Sequence, residues 1–126
     1  MDNGGCETFV ADCRLRQATE LIAHTWDPLV LMALRRGTTR RRDLLAGIGG
    51  VSDKVLSQAL ARLTKHGLIT RTAVPADHRG VAYELTPTGS SLAAGPLAAL
   101  AQWAADNGEA ILPAAPATHA APAARA

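Results

Sequence analysis

Apolar residues recur at helical spacing over most of this chain and alternate over one short stretch, so the pattern alone divides it into elements. Leu15, Ala18, Leu21 and Ile22 share one face of a helix expected from about Cys13 to Ala23. A second helix is predicted from Trp26, with Thr25 as N-cap and Pro28 in the first turn where its missing N–H is harmless, and it stops at Gly37. Its body, Leu29 to Leu34, is apolar on nearly every side, which marks a core helix. Thr39 is the expected cap of a short third helix running through Leu45, and Gly47-Ile48-Gly49-Gly50 reads as a turn.

The best-defined element follows that turn. Ser52 is its expected N-cap, Asp53 favours the positive end of the helix dipole, and Gly67 ends it, with Leu68 placed to touch Leu63 as in a Schellman cap. Val55, Leu56, Ala59, Leu60 and Leu63 form an inward stripe, and Lys54, Ser57, Gln58, Ala61, Arg62 and Lys65 form the opposite one. Leu68 to Val74 and Val81 to Leu85 read as two strands joined by Pro75-Ala76-Asp77-His78-Arg79-Gly80, a loop with a cation near its tip. From Thr88 the chain turns helical again. Leu92, Leu97, Leu100, Trp103 and Ile111 are its expected buried positions, and Gly95-Pro96 should kink or interrupt it.

This order predicts a mainly α fold with a small β-hairpin, a winged helix-turn-helix. Residues 1–12 are expected to form a flexible arm and 13–112 the folded domain. Residues 113–126, with eight Ala and three Pro, read as a disordered tail.

Charge adds what periodicity cannot. From Arg35 to Gly80, ten Lys or Arg stand against three acids, a net +7; the remainder carries three against eight, a net −5, and together they make the formal +2. A cationic field concentrated on one segment attracts a polyanion and allows counterion release on binding. Only four aromatic residues, Phe9, Trp26, Tyr83 and Trp103, are present and they are scattered, so no stacking platform for single strands is visible and double-stranded DNA is the expected partner. The longest clean apolar run, Leu29 to Leu34, is too short to cross a membrane, and Asp2 and Glu7 oppose a secretory signal, so a cytoplasmic location is expected. His24, His66, His78 and His119 fall in different elements with no catalytic spacing, which argues against an enzyme. Two cysteines are too few for a disulfide framework and lack zinc spacing; reduced thiols, no metal and no cofactor are expected.

Trp26 followed by Leu29-Val30-Leu31, then Val51-Ser52-Asp53-Lys54-Val55-Leu56-Ser57-Gln58-Ala59-Leu60, Leu63, Gly67-Leu68-Ile69 and Tyr83-Glu84-Leu85-Thr86-Pro87-Thr88-Gly89 together resemble the HxlR-type winged-helix regulators, relatives of the MarR family. The similarity covers roughly Cys13 to Asn107. Ala59 stands where the family often has Arg, Arg41 replaces a frequent aromatic, Arg14 a frequent Pro, and Arg79 is displaced by about one position. The resemblance implies a homodimeric bacterial transcription factor joined through its terminal helices. It also implies, for some members, a cysteine at the position of Cys13 that senses oxidants or electrophiles.

On that scaffold Ser52, Lys54, Ser57, Gln58 and Arg62 are the expected contacts to base edges or nearby phosphates, and Thr39, Arg40, Arg41 and Arg79 should hold phosphates or the minor groove. Two half-sites read by a two-fold dimer imply a pseudo-palindromic operator. Cys13 lies at a helix start near Arg14 and Arg16, which favours thiolate, whereas Asp12 opposes it. Cys6, seven positions earlier, could resolve a sulfenic acid on Cys13. The bland reading is a small packed residue at the interface. The expected function is therefore a repressor responding to a redox or electrophile signal through Cys13. One alternative is the same scaffold governed by a small molecule in an apolar pocket near Trp26 and Trp103. Another is a winged domain that binds protein instead of DNA.

Overall fold

The hydrophobic core of this chain is organised around one helix pair. The computed structural model describes residues 13–74 and 77–111, and the side chains at 77–79 fall outside that description. The expected arm with Cys6, the hairpin tip with the Arg79 side chain, and the Ala/Pro-rich tail all lie outside the described residues. In chain order the elements are α1 (Arg14–Leu21), α2 (Trp26–Ala33) with a 3-10 turn (Leu34–Arg36), β1 (Thr39–Arg40), α3 (Arg41–Gly47), α4 (Asp53–Lys65), β2 (Ile69–Val74) and β3 (Asp77–Leu85). Then follow α5 (Pro87–Leu92), a π-helical turn (Ala93–Leu97), α6 (Ala98–Asp106) and α7 (Gly108–Ile111).

Val30, Leu31 and Leu34 from α2 and its turn pack with Leu56, Ala59, Leu60 and Leu63 of α4, and Leu44, Leu68, Ile69, Ala93 and Leu97 close the cluster. Only the inward stripe of α4 is buried, as its 3.6-residue period requires. Both ends of α4 follow local chemistry. The Ser52 hydroxyl accepts from Val55 N–H at 3.2 Å, and Gly67 adopts φ +75° so that Leu68 N–H donates back to the Leu63 carbonyl at 3.0 Å.

The other expected caps do not form. Thr25 is already helical and makes no side-chain cap. Thr39 is drawn into a strand instead: β1 pairs antiparallel with β3 through Thr39 with Tyr83 and Arg40 with Ala82, giving a three-stranded sheet of order β1-β3-β2 where a two-stranded hairpin was expected. Its hydroxyl donates to the Gly37 carbonyl, and α3 starts two residues later without a capping side chain. The third strand also begins earlier than its turn-like composition suggests, because Val74 pairs with Asp77 past an irregularity at Ala73/Val74.

The Leu85-Thr86-Pro87-Thr88-Gly89 run joins the sheet to the closing helices. Thr86 N–H donates to the Leu68 carbonyl at 3.0 Å, its hydroxyl donates to the Gly67 carbonyl at 2.7 Å and accepts from Gly89 N–H at 3.0 Å, and Pro87 occupies the first turn of α5. A Cβ at Gly89 would collide with the Leu68 carbonyl, so only glycine fits there. Pro96 does not break the helix but sits in the π turn, which accommodates its missing N–H.

Several positions expected to be buried are not. Leu100, Trp103 and Ile111 on α6 and α7 are about half exposed, at 53%, 51% and 43%, and Leu15 on α1 at 60%. None of them belongs to the core cluster, which is built mainly from α2, α4 and the π turn. Among the described residues no helix is long and apolar enough to cross a membrane.

Candidate nucleic-acid interface

The outward face of α4 is presented by a helix whose opposite side is locked into the core. Ser52, Lys54, Ser57 and Gln58 are all exposed, clustered in the N-terminal half, where the helix dipole and free N–H groups favour an anion. Arg35, Arg36 and Arg42 are exposed as well.

Two arginines hold this helix by its flanks. Arg41, the first residue of α3, donates to Asp53 Oδ1 at 2.8 Å, to the Asp53 carbonyl at 3.2 Å and to the Ser57 hydroxyl. The Asp53 partner is largely exposed, so the pair adds orientation more than stability. On the other flank Arg62 forms a bidentate pair with Asp27 of α2, Nε to Oδ2 at 2.9 Å and Nη2 to Oδ1 at 2.8 Å. Asp27 is 1% exposed and is the buried charged residue among those described. The hydrogen bond to Asp27, with its charge, raises the Arg62 pKa above the ordinary guanidinium value against the desolvation that burial brings, so the guanidinium stays charged.

These placements sort the expected contacts. Lys54 and Gln58 project from the exposed face of α4, and Ser52 is exposed while serving as its cap. Ser57 is exposed but already accepts from Arg41. Arg62, expected to contact a base edge or a nearby phosphate, has its guanidinium paired with the buried Asp27, with its side chain 30% exposed. Helical spacing put it with the outward residues because periodicity reports a direction and not the neighbour found there. Thr39 and Arg40 lie on β1 at the sheet edge. Asp27 had no role in the sequence reading; its one signal is an acid inside the most apolar helix of the chain.

The remaining candidates fall apart in space. Trp26 packs against the core and beside Gly50, whereas Trp103 stands half exposed on α6 and is not part of the core cluster. Cys13 is 4% exposed at the start of α1, and its sulfur is disulfide-bonded, against the expectation of a reduced thiol. Composition counts thiols but does not tell whether one has a neighbour at bonding distance.

A buried-backed helix beside a three-stranded wing is shared with known proteins. The family model for the HxlR-like helix-turn-helix matches residues 21–111. The uncharacterized HTH-type transcriptional regulator YtfH of Escherichia coli K12 is 41% identical over 95 residues, which cover 75% of each chain. The solved structure of ytfH from Salmonella typhimurium superposes with a TM-score of 0.69 at 38% identity, covering 82% of this chain and 92% of that one. The reduced form of the transcriptional regulator YodB from B. subtilis gives 0.63 at 25% identity, covering 75% and 90%. YodB has also been solved quinone-bound and diamide-treated. By family, relatives and fold alike, this chain belongs to the HxlR-like helix-turn-helix transcriptional regulators, which bind DNA and are not enzymes.

Proposed function

We propose that this regulator is a homodimeric repressor that reads a pseudo-palindromic operator in duplex DNA while Cys13 is a reduced thiol, and is released when an oxidant converts Cys13 to the disulfide-bonded form described above. The observation that carries the dimer is the set of apolar side chains, Leu15, Leu100, Trp103 and Ile111, exposed on the helices at both ends of the described chain. Apolar area of that kind is stable when a second copy covers it. Two copies then present two α4 helices, with Lys54 and Gln58 toward the grooves and Thr39, Arg40, Arg41 and Arg79 toward phosphates or the minor groove. Arg62 leaves the base-reading set and takes a positioning role.

Cys13 supports the signal. It begins α1, one of the helices bearing the exposed apolar residues, so a change at its sulfur acts on the surface that sets the spacing of the two reading helices. The relative solved in reduced, quinone-bound and diamide-treated forms is consistent with that use. No observation favours a small-molecule pocket between Trp26 and Trp103.

Footprinting on the promoter nearest the gene, with and without diamide, tests both parts. A two-fold protected region that diamide abolishes in the wild type and not in Cys13→Ser is the expected result. Protection without two-fold symmetry excludes the dimer, and an unchanged diamide response in Cys13→Ser excludes the thiol switch.

A further inference from the structure

A cleft of about 400 Å³ runs between the outer side of α4 and the sheet. Leu60 and Ala61 line it along the helix, Lys65 and Arg71 bring positive charge, Tyr83 lies on the sheet side, and Arg41 also borders it. Arg71 and Tyr83 are direct cross-strand partners of β2 and β3, so their side chains leave the same face of the sheet.

Arg41, Ser57 and Thr64 along this cleft are hydrogen-bonded within the protein, whereas Tyr83, Lys65 and Arg71 are not, among the described residues. Tyr83 is only 8% exposed, yet its hydroxyl has no hydrogen-bond partner among the described residues, and no fully enclosed polar atom lacks one, so the hydroxyl is open to the cleft. Lys65 and Arg71 are exposed and make no ion pair among the described residues. The nearby acids are engaged elsewhere: Asp53 is held by Arg41, and Glu84, on the opposite sheet face by strand alternation, accepts from the Thr38 hydroxyl at 2.8 Å. A nearly buried donor beside two uncompensated cations calls for an oxyanion.

We infer that this cleft is a backbone-phosphate site, in which Tyr83, Arg71 and Lys65 grip the DNA strand passing between the reading helix and the wing. The inference rests on the DNA-binding function proposed above and adds three residues to it. An α-helix about 10–12 Å across fills a major groove of about 12 Å, and a wing reaching the adjacent minor groove then straddles one sugar-phosphate strand. The phosphates of that strand face the space between helix and wing, where this cleft opens. The contacts would set register and affinity without reading sequence.

The test uses the full chain and a random-sequence duplex, with affinity measured across a salt series. Arg71→Ala should weaken binding equally for all sequences and lower the slope of log K against log salt by about 0.9, the signature of one lost phosphate contact, whereas Arg71→Lys should restore the slope. Tyr83→Phe, which removes one oxygen from a packed ring, should weaken binding severalfold with the slope unchanged. If the wild type binds the duplex and Arg71→Ala and Tyr83→Phe match it in affinity and slope, the site is overturned while the DNA-binding function stands. A wild type without salt-sensitive duplex binding removes that function first. The source of the anion is settled by titrating inorganic phosphate at constant ionic strength and following the Arg71 and Tyr83 resonances: saturable shifts that duplex DNA does not displace would assign the cleft to a free anion, against this inference.

Discussion

A carboxylate removed from water must be compensated, and Asp27 depends on Arg62 for that. The two partners are unequal, since Asp27 is enclosed while the Arg62 side chain is 30% exposed. Arg62→Ala strands a buried charge and should cost about 3–5 kcal/mol of stability. Asp27→Ala leaves a cation that can turn toward solvent and should cost clearly less. Urea denaturation of both variants checks this order, and equal losses would contradict it. Gly89 makes a second residue-scale case: Gly89→Ala forces a methyl against the Leu68 backbone and should lower stability by about 1–3 kcal/mol, read from the thermal midpoint. Neither contact was legible in the sequence. The buried partner of Arg62 lies 35 positions away and the obstacle at Gly89 lies 21 positions away, distances at which local patterns carry no information.

Among the elements, α4 was the most legible because its boundaries are local. Ser52 and Gly67 act within one turn of themselves, and the apolar stripe repeats four times on one face. Its exposed face yields a pair of distinguishable outcomes. Gln58→Ala should cost about 1–3 kcal/mol on the operator and relax preference at one base pair, whereas Lys54→Ala should weaken every sequence alike and lower the salt slope by about 1, both measurable by competition binding. The strand β1 was illegible for the opposite reason. Two residues, Thr39 and Arg40, have no period of their own, and they become a strand only because β3 returns beside them more than forty positions later. Thr39 was thereby taken from the cap that its chemistry favours.

For the whole molecule, the decisive feature is apolar surface left exposed among the described residues. Leu15 on α1 and Leu100, Trp103 and Ile111 on α6 and α7 read as core positions by spacing but stand exposed, and the dimer proposed above would bury them. Replacing Leu100 and Trp103 together by Glu should yield a folded monomer in sedimentation velocity, with its helical circular dichroism retained and operator affinity lower by about 100-fold or more as bivalency is lost. A dimer persisting in that variant would move the interface elsewhere. The segregation of charge belongs to this scale too, since the +7 segment from Arg35 to Gly80 contains β1, α3, α4 and the wing.

Helix periods, the two caps of α4, the cationic middle segment and the joint Ser52-to-Leu60 and Leu85-to-Gly89 motifs were determined by the order of residues, because each acts over a few positions or sums over many. Which cations remain available was decided by tertiary structure. Arg62 turned to Asp27, whereas Lys65 and Arg71 beside Tyr83 make no ion pair among the described residues. A guanidinium is equally charged in all these places, and only the neighbours that folding brings within hydrogen-bond reach determine whether it holds the protein together or faces its partner.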